Sequence, residues 1–218
     1  MTINDFPTVN RRLKKEYLAK KAPIVDLIKV ETGDPFRILV ATILSARTKD
    51  ETTSVVCRRL FKVVRKPHDF DGFTQKQLEK LIHPIGFFHT KAKHLKQLPE
   101  VLDREFGGVV PGTIDELCRL PGVGRKTANL VVTMAFDRPA ICVDVHVHRI
   151  CNRLGLLKTQ TPLETEMKLR EILPKRYWKT WNSYLVSYGQ TLCAPIGPRC
   201  SKCVIPEFCP QIGVKRSR

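Results

Sequence analysis

A helical pattern from Thr113 to Leu120 runs into Pro121-Gly122-Val123-Gly124, and Arg125 to Ala135 then resumes with Ala128, Val131, Val132 and Ala135 on a small apolar face. Glycine lets a backbone approach a ligand with no Cβ in the way, and the amides at the mouth of the second helix point outward. Helix, turn and helix therefore read first as a phosphate site. The plainer alternative is a turn that only joins two packed helices. Lys126 falls in the first turn of the second helix, where the helix dipole disfavours an ammonium; part-burial there would leave a neutral amine, which is a nucleophile. Beside Arg125, the commoner role of such a lysine is a phosphate contact. Neither nucleotide fingerprint fits. A dinucleotide site needs a preceding strand and a third glycine where Thr127 stands, and a Walker loop needs Gly-Lys-Thr where Arg125 intervenes.

Asp144 lies in Val143-Asp144-Val145-His146-Val147-His148-Arg149, just ahead of a helical pattern from Val145 to Leu154 that Gly155 ends. As an N-cap its carboxylate would keep one rotamer and stay ionised, able to stabilise positive charge growing on a sugar or to take a proton from an amine. His146 and His148 are two apart, which does not stack them for a shared metal. His148 and Arg149 are expected to reach a backbone phosphate instead.

Cys193, Cys200, Cys203 and Cys209 have the spacing C-x6-C-x2-C-x5-C, interleaved with Pro195, Gly197, Pro198 and Pro206. Four ligands on a short non-helical loop predict a closed, structural metal site, either tetrahedral zinc or a four-iron cluster, and ligand count alone does not separate the two. Arg199 and Lys202 in the same loop are offered to phosphate. Cys57, Cys118, Cys142 and Cys151 read as small buried hydrophobes.

The elements that must position these groups are helical. Thr48 with Glu51, Thr74 with Gln77, Thr113 with Glu116 and Thr161 with Glu164 each have capping-box spacing, the last with Pro162 at the first helical position. Leu78, Leu81, Ile82 and Ile85 repeat at helical spacing before Gly86, as do Leu95, Leu98, Leu102 and Phe106 before Gly107-Gly108. Ile38 to Ala46 is nearly all apolar and reads as a central buried helix. Trp178, Trp181, Tyr184, Leu185 and Tyr188 pack the cysteine loop onto the core rather than stack on bases. The expected class is all-α in two helical lobes, the second completed by the basic N-terminus.

With 42% hydrophobic and 27% charged residues the chain is globular, and 38 Lys and Arg against 21 Asp and Glu leave a net charge of +17. Both ends are basic: the first twenty-two residues hold six basic and two acidic side chains, and residues 136–218 hold fourteen and six. An acidic partner surface is expected. The longest run of apolar or small uncharged residues, Thr127 to Phe136, is about half of what a membrane helix needs. The opening MTINDFPTVN has no secretory pattern, so an intracellular, reducing compartment with the nucleoid is expected.

Taken in order, LPGVGRKTANLV from Leu120, VDVHVHRICNRLGL from Val143 and the cysteine spacing resemble the endonuclease III family of DNA glycosylases with an associated abasic-site lyase, over roughly residues 20–212. The resemblance implies a helix-hairpin-helix DNA glycosylase fold. A six-helix barrel over 23–135 would hold the hairpin, and a second lobe of 1–22 and 136–218 would carry a structural 4Fe-4S cluster on Cys193, Cys200, Cys203 and Cys209, with zinc as the alternative. An active-site cleft would lie between the lobes. It implies Lys126 as the catalytic nucleophile, Asp144 as the catalytic carboxylate, and Gly122, Gly124 and Arg125 as phosphate contacts. The implied partner is damaged double-stranded DNA, bound by a monomer, with an oxidised or saturated pyrimidine flipped out of the stack. Base loss would leave a lysine-sugar imine, and β-elimination would cut the strand with no metal or external cofactor in the chemistry. The alternatives are a glycosylase for mismatched thymine or uracil, and a non-catalytic DNA-binding protein.

Three positions depart from the family pattern. Ser45-Ala46-Arg47-Thr48-Lys49-Asp50 resembles the loop that fills the space left by the flipped base, with Arg47 where bacterial members carry glutamine. Arginine there is suited to an orphaned purine or a phosphate. Ile85-Gly86-Phe87-Phe88-His89 resembles the opposite wedge loop, with Phe87 in place of leucine; His89 and Lys91 beside it are counted among the DNA contacts. Val145 replaces a threonine often found after the aspartate.

Overall fold

A computed structural model of the chain describes residues 1–19 and 33–218. Lys20, Lys21 and the expected boundary after residue 22 lie outside the described residues. Among those described there are no strands, and ten α-helices: α1 (Phe6–Leu18), α2 (Pro35–Ser45), α3 (Asp50–Leu60), α4 (Gln75–Ile82), α5 (Phe88–Phe106), α6 (Ile114–Leu117), α7 (Arg125–Phe136), α8 (Val145–Arg153), α9 (Pro162–Ile172) and α10 (Trp178–Thr191). Chain contacts divide the protein into two compact units, Pro23–Arg138, and Met1–Ala22 together with Pro139–Arg218. None of the described helices is long and apolar enough to cross a membrane.

In the unit Pro23–Arg138 the all-apolar stretch is the central helix. Phe36 and every residue from Ile38 to Leu44 are buried in α2, which packs against α7, where Ala128, Val131 and Val132 of the small apolar face are buried. α4 and α5 pack on each other, with Leu78 and Ile82 buried on α4 and Leu95, Leu98 and Leu102 buried on α5. Each such side chain contributes roughly 1.5–3 kcal/mol when fully buried.

Of the four helix starts predicted from capping-box spacing, three are capped as expected and one is not. Thr74 and Gln77 form a reciprocal box: Gln77 Oε1 accepts from the Thr74 amide at 2.7 Å, and Thr74 Oγ1 from the Gln77 amide at 3.3 Å. Thr113 and Thr161 accept from the amides of Glu116 and Glu164. Thr48 does not cap α3, which begins after Lys49; its hydroxyl instead accepts from the Gly86 amide at 3.1 Å, tying two loops together. A tertiary acceptor position takes precedence over the local box there.

In the other unit α1 packs on α10, α10 on α8, and α8 on α9. Trp181 is fully buried with Phe6 edge-on at 5.3 Å, and Trp178, Tyr184, Leu185 and Tyr188 are buried along the same helix, so this aromatic row builds core. Arg12 of α1 donates to Val204 O at 2.8 Å and pairs with Glu207, so the N-terminal helix also braces the cysteine loop. Cys57 and Cys151 are buried, and burial pushes each thiol up to about 12. Cys142 is buried too, whereas Cys118, expected inside, is exposed at the end of α6 because the turn into the hairpin carries it outward.

Candidate active site

The hairpin is assembled from α6, the turn to Gly124, and α7. Leu117, Leu120 and Val123 are buried and anchor the turn, leaving the glycines outward. Gly122 has φ +77°, and a Cβ there would stand 2.7 Å from His94 Nδ1, so both backbone conformation and space demand glycine. Gly124 is the N-cap of α7 with extended backbone, and a Cβ there would meet nothing within 4 Å, so the protein itself leaves that side open for an approaching ligand. No side chain caps α7 and its first turn holds no acid, which leaves the positive end of the helix dipole for an anion.

Lys126 is exposed in that first turn, without the part-burial considered from the sequence. Arg125 is half-buried, with Nη1 3.9 Å from Asp115 Oδ1. Asp144 is buried at the start of α8, and its Oδ1 accepts from the amides of His146 and Val147 at 2.9 Å each. These two bonds fix the carboxylate as the sequence predicts for an N-cap. Val145 beside it is exposed.

Arg47 and Phe87 come together in the unit Pro23–Arg138. Both have left-handed backbone, φ +54° and +60°, and the Arg47 guanidinium lies over the Phe87 ring at 5.3 Å from its centroid. Phe87 is 61% exposed, so this cation-π pair stands at the surface. A cavity beside it is lined by Arg47, Phe87, Lys91, His94 and Gly122, which connects the pair to the hairpin. His94 carries no sequence signal beyond its helical position. Burial, then the charge of Lys93, lowers its pKa and favours the neutral ring.

Four expected DNA contacts have partners within the protein, and three of these side chains are at least partly buried. Lys91 is buried, and its ammonium donates to Leu44 O at 2.8 Å and Ala46 O at 2.6 Å. Arg149 donates to Cys193 O at 2.9 Å and Gly189 O at 3.2 Å. His148 Nδ1 meets Thr165 Oγ1 at 2.7 Å, joining α8 to α9. His89 remains exposed with Nδ1 2.9 Å from Glu79 Oε2. Long basic side chains find carbonyls that only the folded chain brings near, and spacing along the sequence does not show that.

Cys193, Cys200, Cys203 and Cys209 line one cavity, and none is in a disulfide. Two donors that the sequence does not flag address the sulfurs. Arg153 Nη1 lies 3.3 Å from Cys193 Sγ, and the Tyr188 hydroxyl donates to Cys203 Sγ at 3.0 Å. Among the described residues no three His, Cys, Asp or Glu side chains converge on a single-ion position.

The fold and hairpin define a helix-hairpin-helix protein of base excision DNA repair, and residues 40–175 match the HhH-GPD superfamily of base excision DNA repair proteins. Endonuclease III of Thermotoga maritima is 43% identical over 176 residues, 81% of this chain and 83% of that protein. A solved non-covalent endonuclease III–DNA complex superposes with a TM-score of 0.85 at 34% identity, covering 97% of this chain and 96% of that one. A trapped endonuclease III–DNA covalent intermediate, an estranged-adenine complex, gives 0.77 at 39% identity over 82% and 84%. The chain belongs to the endonuclease III family. It is a base-excision repair enzyme, a DNA glycosylase with abasic-site lyase activity.

Proposed function

We propose that this enzyme removes oxidised or saturated pyrimidines from duplex DNA, with Lys126 as nucleophile and Asp144 as the carboxylate that assists it. The observation that carries the reading is Lys126 standing exposed in the first turn of an uncapped helix, directly after a glycine turn open to a ligand. Strand phosphates sit against the α7 amides, with Arg125 beside them, and the damaged nucleotide is rotated out. The Lys126 amine forms a bond to C1′ as the glycosidic bond breaks; the base leaves with the electron pair and is protonated. The buried Asp144 carboxylate stabilises the positive charge that grows on the sugar.

Loss of the amine proton with ring opening leaves an imine between Nζ and C1′. The imine acidifies the C2′ hydrogen; its removal breaks the C3′–O bond, and the 3′ phosphate departs with the pair. Water then hydrolyses the imine and restores the amine. A relative trapped covalently on DNA supports the covalent step.

The four cysteines would hold a 4Fe-4S cluster in a structural role. Their common cavity supports it, as do a guanidinium and a phenol donating to two of the sulfurs, which suits thiolate ligands. Zinc is the alternative for the same four thiolates. The cluster would brace the loop that Arg12, Arg149 and Arg153 grip. In this reading Pro23–Arg138 is the six-helix barrel, the other unit is the cluster domain, and the protein acts inside the cell as a monomer on DNA.

Borohydride trapping tests the reading. On duplexes carrying dihydrouracil or thymine glycol, the wild type should give a covalent adduct and Lys126→Ala none. Equal yields from both proteins would remove Lys126 from its role. An adduct confined to thymine or uracil mispairs would move the substrate to mismatch repair.

A further inference from the structure

Lys91 is among the most buried charged side chains of the described residues, and no carboxylate among them pairs with it. Its three N–H groups have three acceptors: Leu44 O at 2.8 Å, Ala46 O at 2.6 Å and Thr48 Oγ1 at 3.5 Å. Leu44 belongs to the last turn of α2 and Ala46 is its C-cap, and that last turn has no basic residue of its own. An ammonium from α5 therefore supplies the positive charge that a helix C-terminus favours. The next residue is Arg47, held at φ +54°. On its far side Thr48 Oγ1 accepts from the Gly86 amide, and a Cβ on Gly86 would stand 2.5 Å from Arg47 O, so the two loops interlock closely. Phe87 follows, under the Arg47 guanidinium.

We propose that Lys91 is a positioning residue: its buried ammonium holds the Arg47 turn in the conformation that stacks Arg47 on Phe87, and its protonation sets how that pair meets DNA. The DNA half of this statement rests on the function proposed above; the turn-setting half does not. Burial brings Lys91 down from the usual lysine range to about 8. Below that pH three donors match three acceptors. Above it the neutral amine keeps two donors and no charge, and the Arg47 turn loosens.

The other charged or titratable groups lining the adjoining cavity are the Arg47 guanidinium and His94, whose pKa burial lowers. Burial thus brings the Lys91 titration down toward neutral pH and moves that of His94 lower still. The sign separates local from global effects. The unfolded chain holds the lysine proton up to about 10.4, so over the window from about 8 to 10.4 this group makes folding more favourable as pH rises. Loosening of the turn in that window is therefore not general unfolding.

The methyl resonances of Ala46 and Thr48 report the turn without DNA. In the wild type they should shift with a midpoint near about 8, and in Lys91→Met they should not titrate. Flat resonances in the wild type would overturn the proposal. Binding of a duplex with a stable abasic analogue provides the second arm. Lys91→Met should weaken it about tenfold to a hundredfold, as misplacement of a contact by about an ångström does. In an Arg47→Ala background the same change should weaken it by less than about twofold, because the two residues act as a unit. Equal losses in both backgrounds would show a merely structural lysine and overturn the proposal. A wild type that binds no duplex would defeat the DNA reading, and the methyl titration would still decide whether Lys91 sets the turn.

Discussion

In the proposed function Asp144 carries two duties on one carboxylate, and a pair of substitutions separates them. Its Oδ1 accepts from the first-turn amides of His146 and Val147, so removing it exposes the start of α8. An asparagine in its place would keep an acceptor of the same shape, and asparagine caps as well as aspartate. Asp144→Asn should therefore melt within about 0.5 kcal/mol of the wild type, while base excision falls by about a hundredfold or more because the negative charge is gone. Asp144→Ala should lose excision as well and in addition about 0.5–2 kcal/mol of stability. Thermal melting alongside single-turnover excision measures both. Full excision by Asp144→Asn would confine the residue to capping. The sequence makes this position legible because capping is local chemistry, set by a carboxylate and the two amides that follow it. Lys91 and Arg149 are not legible in the same way. Which carbonyl a long cation reaches depends on the element across from it, here the end of α2 for Lys91 and the Gly189 and Cys193 carbonyls for Arg149.

Among the elements, the hairpin shows how much a pattern discloses. Two glycines between helical runs foretell the turn, and the buried Leu117, Leu120 and Val123 explain why it faces outward. The pattern does not reveal His94 filling the space beside Gly122, since that contact joins α5 to the turn. Gly122→Ala should cost roughly 1–3 kcal/mol, from positive φ together with the clash against the imidazole. Adding His94→Ala should return only the steric part, leaving the backbone strain. Chemical denaturation of the two variants checks this, and complete recovery in the double variant would refute the strain argument. α8 illustrates a longer reach. It opens on Asp144 and closes on Arg153, whose guanidinium addresses Cys193 Sγ and the carbonyls of Ala194 and Pro195 at 2.7 and 2.8 Å. Arg153→Met leaves those carbonyls without their donor, so if the cysteines hold the proposed 4Fe-4S cluster the purified variant should retain less iron and absorb less at about 400 nm per chain than the wild type. Equal iron content in the two proteins would count against the bracing role.

For the whole molecule, a charge of +17 acts on DNA before any particular contact forms. Every phosphate neutralised releases a condensed counterion, so binding weakens linearly in the logarithm of salt concentration, by about 0.9 per contact on duplex DNA. The overall charge alone does not say which basic residues contribute. The fold narrows the choice, because Lys91 is buried and Arg149 is bonded to carbonyls, whereas Arg125 lies at the uncapped start of α7. Arg125→Gln should therefore lower the salt slope by about one and weaken undamaged and damaged duplexes alike, the behaviour of a phosphate contact. If Arg47, stacked on Phe87 at the surface, reads a base edge rather than a phosphate, Arg47→Gln should leave the slope nearly unchanged and alter the ranking of one lesion opposite each of the four bases. Titrating both variants against salt on the same set of duplexes distinguishes the roles. If Arg47→Gln lost a unit of slope and kept the wild-type ranking, Arg47 would be a phosphate contact and the opposite strand would be read elsewhere.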